Sequence, residues 1–157
     1  MSLTEQSNGP ARGFGRRYAV LNLDLMSVLI DGIKESPIGQ RFTSNCTRWD
    51  DAVHKKDYRP LTIFTTLYFS NTAQLKLTKS GPFTKLLEPF GTLEKSSPGV
   101  QIASNFSVDE KDIVIQKTRW YAGPGNSLEQ ILRAQNIDTV ILSGSSLSGV
   151  IMSNLTR

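Results

Sequence analysis

The sequence predicts an α/β domain of three layers, a doubly wound and mostly parallel sheet with helices on both faces. Three observations carry this. Apolar runs rich in β-branched residues recur at 18–23, 61–68, 112–116 and 138–144, with helical patterns between the first pair and between the last. That alternation builds parallel sheets through right-handed crossovers. The runs are nearly continuous rather than alternating, as in strands covered on both faces. A chain of 157 residues is also the size of one domain, long enough to bury roughly two-thirds of its unfolded surface.

Residues 1–16 hold Gly, Pro and small polar residues without periodicity and read as a flexible lead-in, so the domain is expected over 17–157. Residues 18–23, Tyr18 to Leu23, are an almost unbroken apolar run ending at Asp24, as a central strand requires. A helix is expected over 43–57. There Cys46, Trp49 and Val53 recur at spacings of three and four, Thr43 or Ser44 is available as N-cap, and Arg48, Asp51 and Lys55 fall elsewhere on the cylinder. Residues 61–68, entered through Pro60, form the second strand.

From 70 to 110 the turn signals Gly81-Pro82, Pro89, Gly91 and Pro98-Gly99 leave room for a short helix near 83–88. Residues 112–116 are a third strand that delivers Lys117 at its end. Asn126 with Glu129, and Ser127 with Gln130, both have capping-box spacing, and Leu128, Ile131 and Leu132 form the buried stripe of the helix that follows. Residues 138–144 are the fourth strand, and a last helix begins near Leu147.

Composition excludes several functions. The single cysteine, Cys46, and the single histidine, His54, give no disulfide framework within the chain and no metal-ligand spacing. Neither a metal nor a cofactor is expected. Cys46, on the apolar face of its helix, is expected in the core. The net charge of +4 invites a search for a nucleic-acid groove, but the basic residues are scattered without interleaved aromatics. Arg12, Arg16 and Arg17 fall in or beside the lead-in, Lys55 and Lys56 on a helix surface, and Lys76, Lys79 and Lys85 in the polar central stretch. They read as solvated surface, with no nucleic-acid partner. No apolar run approaches the roughly 18 residues that span a bilayer, and the N-terminus lacks a signal-peptide pattern. The expectation is a soluble cytoplasmic protein without a membrane partner.

Ligands of open parallel sheets bind outside the carboxyl ends of the strands. Asp24, Lys117 and the Gly144-to-Gly149 turn all lie at such ends. A carboxylate, an ammonium and a Gly/Ser turn feeding a helix make an acid/base pair beside a cluster of backbone N–H groups. Equally, Asp24 can cap a turn while Lys117 is solvated. Trp120 and Tyr121 either wall a pocket or pack their loop, and Arg119 either grips a substrate carboxylate or pairs with a surface acid. Gly123-Pro124-Gly125-Asn126 lacks the Lys-Ser/Thr of a phosphate-binding loop.

The run YAVLNLDLM (18–26) resembles the first strand of the isochorismatase-like cysteine hydrolases, and DIVIQKTRWYAGPGNSLEQILRAQNIDTVILSG (112–144) resembles that family's later strand, loop, helix and strand. The resemblance covers residues 17–157, most strongly from 112 on. It implies that family's Rossmann-like topology, with Asp24 and Lys117 as the catalytic pair. It further implies an oxyanion turn at Gly144, Ser145 and Ser146, a pocket near Arg119, Trp120 and Tyr121, a small-molecule substrate, and homo-oligomers.

Two departures qualify it. Relatives keep a nucleophilic Cys after the turn, beyond Gly149, where this chain has Val150. Ser146 and Ser148 lack an evident base and are poor substitutes. The chain also looks truncated at its C-terminus by roughly a quarter to a fifth of a doubly wound domain. The expected function is a hydrolase of a small anionic substrate, isochorismate or a relative, with Asp24 as general acid/base beside Lys117 and no covalent Cys intermediate. The alternative is a catalytically inactive pseudoenzyme or interaction subunit of the same fold.

Overall fold

The computed structural model describes residues 15–70, 81–145 and 150–155. Four parallel strands form one sheet in the order β3-β2-β1-β4: β1 Tyr18–Leu23, β2 Leu61–Leu67, β3 Ile113–Lys117 and β4 Thr139–Gly144. The two central strands, β1 and β2, carry buried Asn22, Thr62, Thr65 and Thr66 within otherwise apolar runs. After its first residue each of β1 and β2 is buried throughout. The edge strands expose Val114 and Val140, because each has a neighbour on one side only.

Among the described residues five α-helices accompany the sheet: α1 Ser27–Ile33, α2 Pro37–His54, α3 Pro82–Leu87, α4 Leu128–Ala134 and α5 Met152–Leu155. On one face Leu128, Ile131 and Leu132 of α4 pack on Leu21, Leu23, Ile63 and Ile115. On the other, Ile30 and Ile33 of α1 with Phe42 and Cys46 of α2 surround Phe64. A third apolar cluster, including Met26, Leu67, Leu87 and Leu93, sits beyond the carboxyl end of β2. The three-layer doubly wound architecture is therefore present. No helix among the described residues is long and apolar enough to cross a membrane.

Several local expectations are corrected. Helix α2 starts at Pro37 rather than near 43, because Ser36 is the N-cap: its hydroxyl accepts the Gly39 N–H at 3.0 Å, and proline suits the first turn. Thr43 and Ser44 thus lie inside the helix, which ends at His54, short of 57. Helix α1 was not anticipated. Its residues, SVLIDGI, include three of the β-branched type and a glycine, all weak helix formers, and burial of Ile30 holds it in place.

Neither capping box forms at α4. Ser127 makes no side-chain cap bond. Asn126 Oδ1 instead accepts the Leu128 N–H at 3.0 Å while its amide nitrogen donates to the Gln116 and Ala122 carbonyls. The Tyr121 hydroxyl donates to Glu129 Oε1 at 3.2 Å, engaging the carboxylate a box would use. Cys46 is only partly buried. It borders an open groove beside β4, with Phe42, Trp49 and Ile141, since no described element covers that edge.

The expected lead-in lies outside the described residues, apart from 15 and 16. So do Lys76, Lys79 and the expected helix start near Leu147.

The close of β4 depends on Gly144. Its φ is 131°, and a Cβ there would stand 2.0 Å from the Leu23 carbonyl oxygen, the same oxygen that accepts the Ser145 N–H at 3.0 Å. Gly144→Ala is expected to destabilise the fold by at least about 2 kcal/mol through overpacking and backbone strain. Urea unfolding would show this as a lower midpoint at unchanged slope.

Candidate active site

Strand β1 has β2 on one side and β4 on the other, so the chain leaves β1 toward β2 and β3 and later returns to its opposite flank. Connections diverge at such a point and open a crevice at the carboxyl ends. Asp24 directly follows β1 and Ser145 directly follows β4. The register pairs Leu23 with both Thr65 and Gly144, and Leu67 with Lys117. Lys117 therefore stands two residues beyond the level of Thr65, one strand further out, and its long side chain reaches back across β2.

Lys117 Nζ lies 2.6 Å from Asp24 Oδ2. Both residues are almost entirely buried, with 1% and 3% of their surface exposed. The ammonium also donates to the Trp120 carbonyl at 3.1 Å. Thr65 holds the carboxylate from the other side: its hydroxyl donates to Asp24 Oδ1 at 3.2 Å, and its carbonyl accepts the Asp24 N–H at 3.2 Å. Asp24 has φ +55°, a left-handed conformation that costs a non-glycine residue about 1–3 kcal/mol and persists where surrounding bonds enforce it.

Burial pushes the Asp24 carboxyl above its ordinary pKa, although the Lys117 ammonium and the Thr65 hydroxyl pull it back. Burial likewise lowers the Lys117 pKa, with Asp24 opposing. Of the two opposing influences that the sequence left open for Asp24, desolvation is the larger. The pKa values of the pair are thereby drawn toward each other, the condition under which proton transfer is inexpensive.

A cavity of about 320 Å3 opens on Asp24. Met26 and Leu29 form one wall and Leu67 another. Leu87 and Phe90, from α3 and the 3-10 turn after it, form the roof. Trp120 closes the side, its ring edge-on to Phe83 of α3 at 5.1 Å and 81°. Ser145 and Val150 complete the lining, so a buried valine stands where the resemblance would put a cysteine.

The structure thus brings together Asp24, Lys117, Trp120, Ser145 and Val150. Two further candidates lie elsewhere. Arg119 is exposed, with its guanidinium 5.9 Å over the Phe83 ring, and Tyr121 is turned to Glu129. Ser146, Ser148 and Gly149 lie outside the described residues. Sequence reasoning missed the α1 wall, although Met26, Leu29 and Ile33 stand at helical spacing. Cys46 lines the separate groove beside β4, and burial pushes its thiol up.

A second ionisable cluster lies at the opposite end of the sheet. Arg59 pairs with Asp109 and Asp112, and His54 Nε2 stands 3.1 Å from Asp112 Oδ2 and its Nδ1 3.5 Å from Asp50 Oδ1. These bonds tie the end of α2 to the entry of β3. Two segments distant in sequence, 50–59 and 109–112, contribute, which is why the motif reading did not find it.

Comparison with known proteins agrees with this architecture. The isochorismatase domain family matches residues 18–156. N-carbamoylsarcosine amidase of an Arthrobacter species is 29% identical over 141 residues, 88% of this chain, and the chain spans about half (53%) of that relative's length. Among solved structures, a cysteine hydrolase from Pseudomonas syringae superposes with a TM-score of 0.70 at 16% identity, covering 93% of this chain and 70% of its own. N-carbamoylsarcosine amidase from Thermoplasma acidophilum gives 0.69 at 17%, covering 89% and 74%. These structural likenesses speak to the fold, and the family match extends over nearly the whole sequence: the chain belongs to the isochorismatase domain family.

Proposed function

We propose that this protein is a hydrolase of a small molecule that works by proton transfer from Asp24, with Lys117 as electrostatic partner and no covalent intermediate. The observation that carries the reading is the buried contact of 2.6 Å between the two side chains at the mouth of an apolar cavity. Neutral Asp24 donates its proton to the substrate, an enol-ether carbon being the acceptor suggested by the family resemblance. Lys117 stabilises the carboxylate left behind. Water then adds to the resulting oxocarbenium, and the proton it sheds returns to Asp24. The hemiketal so formed collapses, its C–O bond to the alcohol breaking as the hydroxyl proton passes to the departing oxygen, which releases a carbonyl product and an alcohol, so the cycle needs neither cofactor nor protein nucleophile.

Val150 supports the absence of a covalent step, because a valine offers no lone pair for attack. The same residue favours a second reading, a binding subunit of the same fold without turnover. Hydrolysis of isochorismate, read as pyruvate release, and of uncharged vinyl ethers, read as release of their carbonyl product, compared between wild type and Asp24→Asn, separates the two. Turnover that depends on Asp24 supports the hydrolase; turnover equal in both proteins removes Asp24 from the mechanism; none in either leaves the binding subunit ahead.

A further inference from the structure

We infer that the part of the substrate held by this cavity is uncharged and apolar, rather than the small anion expected from sequence. The inference rests on the proposed site and names its substrate class. Among the described residues lining the cavity, Asp24 is the sole ionisable side chain. The others are aliphatic or aromatic, apart from Gly32 and the Ser145 hydroxyl.

Lys117, the cation paired with Asp24, is committed to it at 2.6 Å and to the Trp120 carbonyl. The residue is 1% exposed and does not line the cavity, so it offers a bound anion no direct contact. A bound carboxylate would therefore lose its hydration without gaining a counter-ion among the described lining residues, a far greater penalty than burying a neutral amide or ether. Arg119, the residue the sequence offered as an anion clamp, is exposed, lies outside the lining and rests over Phe83. Lys34, beside the Ile33 end of the cavity, is paired with Asp31 at 3.1 Å.

The apolar walls act in the same direction. Met26, Leu29, Leu67, Leu87, Phe90 and Trp120 gain by covering hydrocarbon, at roughly 25 cal/mol per Å2 removed from water. The space, about 320 Å3, lies at the small end of ligand cavities and suits a single ring or a short branched chain.

The test is calorimetric binding at neutral pH of two isosteric probes, cyclohexanecarboxamide and cyclohexanecarboxylate, to the full chain and to Asp24→Asn. The amide is expected to bind at least about tenfold more tightly to the wild-type protein, a difference of about 1.4 kcal/mol. Leu86→Lys places a cation on the rim at a residue already 55% exposed, so the fold tolerates it. That variant is expected to narrow or reverse the ratio, which ties the preference to this cavity. Equal or tighter binding of the carboxylate by wild type overturns the inference, as does the failure of both probes to bind at millimolar concentration. A ratio unmoved by Leu86→Lys also overturns it, by placing the binding elsewhere. Because binding is read without turnover, the amide preference can hold while Asp24-dependent hydrolysis fails, and the reverse, so the two readings fail separately.

Discussion

Asp24→Asn is expected to lower kcat by about 10²–10⁴-fold, the usual contribution of a positioned proton donor, while KM changes little. Asparagine keeps the shape of the side chain and can still accept from Thr65, but it cannot release a proton to substrate. The fold should survive: Asp24 is one residue beyond β1, and its N–H bond to the Thr65 carbonyl is a backbone contact that the substitution retains. Circular dichroism and a cooperative urea transition on the variant, beside steady-state kinetics, check both halves. Turnover undiminished in a folded variant would remove Asp24 from the mechanism.

The same carboxyl sets the pH dependence. Its folded pKa is raised above the ordinary 3.8, with burial as the largest cause. A proton donor must carry its proton, so kcat/KM is expected to fall as pH rises through that raised pKa, and the limb should be missing from any residual activity of Asp24→Asn. Stability follows the same sign. Between the unfolded and the folded pKa the native state holds more protons than the unfolded chain, so the contribution of Asp24 is complete below about 3.8 and is lost as pH rises through the folded value. Wild type should therefore gain stability relative to Asp24→Asn as pH is lowered through that window, a difference that paired urea titrations would measure.

What could be read from sequence follows from the range over which each signal acts. The central strands were legible because burial on both faces favours a largely apolar run, and Tyr18–Leu23 and Leu61–Leu67 have one, interrupted only by Asn22 and three threonines. Asp24 and Lys117 were placed at strand ends by the same runs, and parallel register then brings them together. Helix starts were less legible, since a cap is a contest among neighbours. Ser36 with Pro37 displaced Thr43 and Ser44, and at α4 the Asn126 carboxamide took over while Tyr121 engaged Glu129. The position of Cys46 was misread for a longer-range reason. Helical periodicity marks the face turned toward the sheet but not whether the sheet extends far enough to cover it, and β4 is the edge. The roof of the cavity was out of reach because α3 and Trp120 meet through Phe83, an edge-to-face contact between segments far apart in sequence.

Lys117→Met is expected to cost about 3–5 kcal/mol of stability near neutral pH, the usual consequence of removing one member of a buried charge pair. The loss arises on the partner. Asp24 would keep its Thr65 bonds but lose the ammonium at 2.6 Å, the influence that opposes burial in setting its pKa. Its pKa must then climb further, so the penalty should shrink toward acid pH, where the carboxyl is neutral. Turnover should fall by about 10²-fold or more, since the carboxylate formed on proton donation has no counter-charge. Adding Asp24→Leu to Lys117→Met removes the stranded charge. The double variant is therefore expected to be more stable than the sum of the single losses by more than about 1 kcal/mol. Additive losses in urea unfolding would mean that the two side chains, although adjacent, contribute independently. A pair strongly coupled in stability and jointly required for turnover is what a proton-transfer site demands, because the ammonium that makes a buried carboxylate tolerable is the one that stabilises it after the proton has left.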